Sequence, residues 1–280
     1  MVNILVPTDL SDVSKVAANY AVKMANRLEA NLTLIHVVTI VVPVRSAYQR
    51  QLKQEEEGLL RRTQEEMIES LKPVVKYVRF AAPVQYDVAI GSPFSETLLR
   101  EAKKLHTGLI VMGTQGASGL KKVVMGSNTT AMIGDSHIPV LAVPAEAEFK
   151  GLHNIVYACD MRNIKKELKQ LIPYATIFDS TIHIVHVVTN GESFAEVDEK
   201  MEKAVARAGY DKIVTMVLAD ASIDDAIADY IRINKADLLV MFTHKPNFYE
   251  RLFDKSITRR MAFHSKVPLL AFKEEGSSKK

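Results

Sequence analysis

Apolar residues recur along this chain with two different periods. Residues 3–7 form a short apolar run with β-branched members and predict a buried strand. After the polar stretch at 8–12, Val13, Val16, Ala17, Tyr20, Ala21, Met24 and Leu28 recur at helical spacing, with Ser11 or Asp12 placed to cap the helix. The same reading predicts strands at 32–38, 84–89, 109–112 and 139–143, and helices at 94–105 and 127–135. Further on, 154–158, 182–188, 213–218, 238–242 and 268–272 read as five more strands with helical patterns between them. Strands that alternate with helices of this length predict an α/β protein with a parallel sheet covered on both faces.

The second series of strands copies the first. Residues 2–9 (VNILVPTD) match 153–160 (HNIVYACD), and 32–38 (LTLIHVV) match 182–188 (IHIVHVV). Residues 109–113 (LIVMG) match 238–242 (LLVMF), and 138–143 match 267–272 in turn. Four matches in one order indicate an internal duplication. The offset falls from 150 at His36 and His186 to 129 at Gly113 and Phe242, so the first half carries an insertion within 42–78. There Leu52, Leu59, Leu60, Met67 and Leu71 mark an amphipathic helix with a charged outer face. Pro144 and Gly151 bracket the boundary. The expected domains are therefore 1–146 and 151–273, followed by a tail, 274–280, with no apolar anchor.

The length of 280 residues agrees with two domains. Lys plus Arg is 36 against 33 Asp plus Glu, a net charge of +3 that gives no support to nucleic acid as a partner. The single cysteine, Cys159, excludes an intrachain disulfide framework and a cysteine-based zinc cluster. With no signal-peptide pattern and no long apolar run, the expectation is a cytoplasmic protein with no membrane association.

Candidate chemistry lies at the strand ends, where parallel sheets bind ligands. Gly113, Gly116, Gly126 and Ser127 form a G-x2-G-x9-G-[ST] pattern that runs from a strand into a helix, with Asn128 next. Glycines supply strained backbone angles and let main-chain N–H groups approach an anion, and a helix N-terminus favours phosphate. Asp9 waits at the end of the first strand. Triphosphate oxygens would repel it, so it fits ribose hydroxyls, a purine amino group or a metal accompanying the nucleotide. Val37 and Met112 offer apolar contact to a flat base. Lys121 and Lys122 either balance phosphate charge or form a solvated pair. The pattern is neither a Walker phosphate loop nor a dinucleotide fingerprint. His36 and His186 read as satisfied buried or half-buried histidines, with a ligand or proton-carrying role as the alternative, and Cys159 as a small buried residue, with a redox sensor as the alternative.

On the residues I-L-V-P-T-D-L-S at 4–11, L-I-H-V-V at 34–38 and L-I-V-M-G-x2-G-x9-G-S-N at 109–128, the chain resembles the universal stress protein family in its tandem two-domain form. The resemblance implies two Rossmann-like (adenine nucleotide alpha hydrolase-like) domains, each an open five-stranded parallel sheet. It implies an ATP or AMP ligand, with Mg²⁺ accompanying the nucleotide. The implied site is Pro7, Thr8, Asp9, Val37, Met112, Gly113, Gly116, Gly126, Ser127 and Asn128. It also implies a stress-response or signalling role with little or no catalysis and an unidentified protein partner. The alternatives are a slow ATPase or phosphotransferase, and a protein-interaction scaffold with a vestigial site.

In the second half, Phe242, Lys245 and Lys255 replace the three glycines, Ser256 keeps the place of Ser127, and Ala158 is read as replacing Thr8. One nucleotide per chain is therefore expected, in the first half. The cationic cluster His244, Lys245, Arg251, Arg259, Arg260 and His264 reads as a charged face or an anion-attracting one. Strands 139–143 and 268–272 are both strongly apolar for a solvent edge. The resemblance implies that they pair antiparallel as an internal pseudo-dimer, with a further homodimer also compatible; the alternative is that each half pairs with another chain in a swapped dimer.

Overall fold

The structure, a computed structural model, describes residues 2–39, 49–79, 83–114, 125–188, 192–220, 222–243 and 266–273. Gly116, Lys121, Lys122, Lys245, Lys255, Ser256, the cationic cluster from His244 to His264 and the tail lie outside them.

The first half runs β1 (Asn3–Pro7), α1 (Asp12–Leu28), β2 (Asn31–Val38), α2 (Gln49–Val75), β3 (Gln85–Ile90), α3 (Phe94–Lys104), β4 (Leu109–Gly113), α4 (Ser127–Asp135) and β5 (Val140–Val143). The second runs β6 (Asn154–Ala158), α5 (Ile164–Phe178), β7 (Thr181–Val188), α6 (Phe194–Val205), β8 (Ile213–Ala219), α7 (Ile223–Ile233), β9 (Leu238–Thr243) and β10 (Leu269–Lys273). The strands form one sheet in the order β3-β2-β1-β4-β5-β10-β9-β6-β7-β8. Each half is a parallel, Rossmann-like five-strand unit. The halves meet where β5 and β10 pair antiparallel, with Leu269 opposite Ala142 and Leu270 opposite Leu141.

Side chains alternate across this sheet and feed two cores that both continue through the joint. Ile4, Val6, Leu109, Val111, Leu141, Val240 and Leu270 face α1, α2, α5 and α6. Leu5, Ile110, Met112, Ala142, Met241 and Ala271 face α3, α4 and α7. Both faces are covered, so the strands read as unbroken apolar runs. α1 lays Ala17, Ala18, Ala21 and Ala25 on the sheet, and these small side chains permit close approach. Its N-cap is Ser11, which accepts from the Ser14 N–H. In α2 the inserted helix buries Met67 and Leu71 completely, while Leu59 and Leu60 are half-buried.

The link between the halves is pinned at Phe149. Its ring meets Tyr20 of α1 edge-on at 5.0 Å and Phe178 of α5 at 5.9 Å. Hydrogen bonding corrects one alignment. The Thr8 N–H donates to the Ile35 carbonyl at 2.9 Å, and the Cys159 N–H donates to the Val185 carbonyl at 2.8 Å. Cys159, not Ala158, therefore stands in the place of Thr8.

Candidate functional site

Strand order reverses between β1 and β4, since β2 and β3 extend one way and β5 the other. A cleft opens at the carboxyl ends of these strands, where such a reversal leaves a crevice. Its volume is about 190 Å³, and its walls include Pro7, Thr8, Asp9, Val37, Met112 and Gly113. Gly126, Ser127 and Asn128 line it from the start of α4. The structure thus gathers nine of the ten residues singled out from the sequence; Gly116 lies outside the described residues.

The first wall is a turn after β1. The Asp9 carboxylate accepts from the Ser11 N–H at 3.1 Å and from the Ser11 hydroxyl. Leu10 then takes a left-handed φ of 62°. Thr8 is buried, its Oγ1 accepting from the Leu10 N–H at 3.0 Å and lying 2.9 Å from the Ser14 hydroxyl. His36 holds the same turn from β2: its Nδ1 lies 2.6 Å from the Thr8 carbonyl oxygen, which can only accept, so Nδ1 carries the proton. The second wall is the start of α4. The Gly126 N–H donates to the Thr114 carbonyl at 2.6 Å, and the Thr129 hydroxyl donates to the Gly113 carbonyl at 2.7 Å. These bonds close the loop between strand and helix.

Gly126 is the N-cap of α4, with φ −60° and ψ 147° and no side-chain cap. Any residue adopts those angles, and Gly113 is not in the left-handed region either. The strained-angle part of the glycine argument therefore fails at both positions. What remains is the bare backbone. The first-turn N–H groups of a helix have no acceptor within it, and among the described residues the N-cap supplies no side-chain acceptor. Exposed Ser127 and Asn128 present that end to the cleft, an arrangement suited to an anion.

Ser14, His36, Phe94 and Thr129 also line the cleft and escaped the sequence reading as wall residues. Thr129 was within reach, because the third residue of a helix that follows a glycine turn points back at the strand end. Phe94 was too, as an aromatic residue opening a helix at the sheet's carboxyl edge. His36, expected as a satisfied buried or half-buried histidine, is half-buried and hydrogen-bonded, and it also faces the cleft.

The second half keeps the scaffold and changes the surface. Asp160 makes the same turn, accepting from the Arg162 N–H at 3.0 Å, and His186 Nδ1 lies 2.8 Å from the Cys159 carbonyl. Both duplicated histidines are hydrogen-bonded in the same way. Phe242, in the place of Gly113, turns its ring into the α5 side of the sheet. It stacks on Phe272 at 4.7 Å and meets Tyr157 edge-on at 5.5 Å. Burial pushes the Cys159 thiol up to about 12, with the Asp160 charge adding to it against the Met161 N–H and Lys200, so the thiolate is scarce at neutral pH. Among the described residues no helix is long and apolar enough to cross a membrane.

Comparison with known proteins agrees with this duplicated architecture. A universal stress protein from Synechocystis is 25% identical over 298 aligned positions, covering 98% of this chain and all of its own. The universal stress protein MJ0531 of Methanocaldococcus jannaschii is 34% identical over 145 positions, half of this chain and 80% of its own. The crystal structure of a universal stress protein from Archaeoglobus fulgidus superposes over 99% of this chain and 97% of its own, with a TM-score of 0.65 at 17% identity. The model of the universal stress protein family matches residues 1–144 and again 152–273, and with that double match the chain belongs to the universal stress protein family.

Proposed function

We propose that this protein binds an adenine nucleotide, ATP or AMP, in the cleft of its first half and works as a stress-response or signalling protein with little or no turnover. The observation that carries this reading is the pairing of an uncapped helix start with a carboxylate across a crevice at the strand reversal. The first-turn amides of Ser127 and Asn128 take phosphate. Asp9 is kept from the phosphates by charge and takes ribose hydroxyls or the purine amino group. Val37, Met112 and Phe94 supply apolar contact to the base. The described cleft is smaller than the ~300–1,000 Å³ of ordinary small-molecule sites. A nucleotide therefore stands partly outside these walls.

The donor set does not fit a resident Mg²⁺. Asp9 is the one carboxylate on the described walls, and the described residues contain no group of three metal-ligating side chains. Mg²⁺ needs about six oxygens. It enters this reading only as the nucleotide's own counter-ion. Phosphoryl transfer also needs a positioned attacking group. To activate a hydroxyl or water as that group, the described walls hold two bases, Asp9, bonded to Ser11, and His36, bonded through Nδ1 to Thr8. Turnover is expected below ~0.01 per second, against about 1–1,000 for typical enzymes.

The test is mass spectrometry of ligand released on denaturing the freshly purified chain, followed by calorimetric titration with ATP and AMP. About one nucleotide per chain is expected, with the dissociation constant raised more than ~10-fold in Gly126→Val. Absence of binding by the wild-type chain would reject the reading in favour of a scaffold. Turnover above ~1 per second that disappears in Gly126→Val would reject the non-catalytic part.

A further inference from the structure

A wide depression lies in the second half, away from the duplicated glycine loop. It is an open trough of about 790 Å³ between the start of α5 and the length of α6. Arg162, Lys165 and Lys166 line one side, and Lys200, Lys203 and Arg207 the other. All six are exposed. Lys200 and Lys203 of α6, with Arg207 in the turn that follows it, form one row beside the buried face of Val197, Met201 and Ala204.

Two carboxylates, Glu196 and Glu199, also line the trough, and Glu199 is paired with Lys203. Arg162 pairs with Asp160 at 3.3 Å. Lys165, Lys200 and Arg207 have no ion-pair partner among the described residues.

The first half shows that the scaffold does not require this charge. By the alignment that places Cys159 on Thr8, Arg162, Asn163, Lys165 and Lys166 stand where α1 has Ser11, Asp12, Ser14 and Lys15. That segment changes from neutral to +3. Cations at a helix start oppose its dipole, an effect that Glu167 in the first turn and Asp160, paired with Arg162, offset in part. These cations face a second row contributed by a different helix.

From this we infer that the trough is a docking surface for an acidic segment of a partner protein. Charge complementarity sets the sign of the partner. The shape and mixed chemistry of the walls set its class. The stripe from Lys200 to Arg207 is about 10 Å long, the reach of three or four extended residues. Met161, Ile164 and Ala204, buried at 4–6% exposure, form a narrow apolar floor between the cations. Acidic side chains interleaved with apolar ones match that surface better than a compact polyphosphate does. This inference does not depend on the nucleotide cleft.

The test is fluorescence anisotropy on the full chain, with a fluorescein-labelled peptide of sequence Glu-Glu-Leu-Glu-Glu-Leu-Glu as probe. Saturable binding is expected, with a dissociation constant below ~100 μM at low salt, weakening as salt is raised. The triple variant Lys165→Glu, Lys200→Glu, Arg207→Glu is expected to lose at least ~10-fold in affinity. A charge-matched control, Lys72→Glu, Lys103→Glu, Arg232→Glu, carries the same change in net charge on other surfaces and is expected to bind like wild type. Circular dichroism verifies that both variants are folded; if the first is not, Lys200→Gln alone takes its place, with a loss of at least ~3-fold expected. No saturable binding, or equal loss in the control, would overturn the inference. Stronger competition by tripolyphosphate or by a single-stranded oligonucleotide than by unlabelled peptide would overturn the assignment to a protein segment.

Discussion

His36 and His186 hold their rings identically, each with Nδ1 on the carbonyl of the residue that follows the first strand of its half. A bond kept through duplication, while the glycines around it changed, belongs to the framework of the β1 and β6 turns. His36→Phe keeps the ring and removes the bond. It is expected to lower stability by about 1–2 kcal/mol in urea unfolding and to weaken nucleotide binding through the Asp9 turn. An unchanged unfolding midpoint would show that the bond contributes nothing. A second residue gives a pH signature. Asp224 is buried at the start of α7 with Oδ1 unpartnered. Burial, and then the charge of Asp225, raise its carboxyl to about 6. The folded state thus holds this proton more tightly than the unfolded chain, where Asp titrates near 3.9. The stabilisation from protonated Asp224 is full below about 3.9 and is lost as pH rises through about 6. Asp224→Asn is therefore expected to be more stable than wild type at pH 7, by about 1–2 kcal/mol. That advantage should vanish by about pH 4; a difference that is flat with pH would contradict the assignment.

At the scale of elements, the inserted helix α2 separates pattern from position. Its acidic and basic residues mark an outer face, and Met67 and Leu71 show where the helix meets the sheet, both at 0% exposure. Met67→Ala and Leu71→Ala are each expected to destabilise the chain by about 2–5 kcal/mol. Glu66→Ala, one position away and exposed, is expected to change stability by less than ~0.5 kcal/mol. Denaturant unfolding measures all three, and equal effects would mean that α2 is not docked through this face. The helix anchors one half only, since the second half reaches from β7 to β8 through the shorter α6.

The whole molecule is organised by the joint between β5 and β10. Val140, Leu141, Ala142 and Val143 are at most 1% exposed because β10 and the two helix layers cover them. Residues 1–150 alone would present that strand as an uncovered apolar edge, which templates pairing. Light scattering is expected to find this fragment as a dimer or larger assembly and the full chain without that association through β5. A monomeric fragment would show that the edge is self-sufficient. Phe149, wedged between Tyr20 and Phe178, ties the linker to both halves. Its truncation to Ala is expected to cost about 2–3 kcal/mol, read as a fall in thermal midpoint.

Local chemistry determined much of this protein before any contact was known. Period decided strand or helix, so the predicted elements lie within one or two residues of the observed ones, from Asn3–Pro7 to Ser127–Asp135. The repeat disclosed two similar halves, and the apolar character of 139–143 and 268–272 pointed to their pairing. Residue types also pointed to a strand-end cleft, because bare backbone and a lone carboxylate have few other uses together. Cys159, and not Ala158, replaces Thr8, as the matched runs 2–9 and 153–160 already pair them and the strand-end N–H bonds agree. Two things depended on distance in space. Phe94, Thr129, Ser14 and His36 joined the cleft because elements far apart in sequence converge on the reversal between β1 and β4. The basic trough exists only because α5 and α6, each ordinary as a charged helix, lay their cations across a shared gap. Sequence carries local propensity and spacing, whereas a cleft or a trough is a property of which surfaces the packing leaves facing one another.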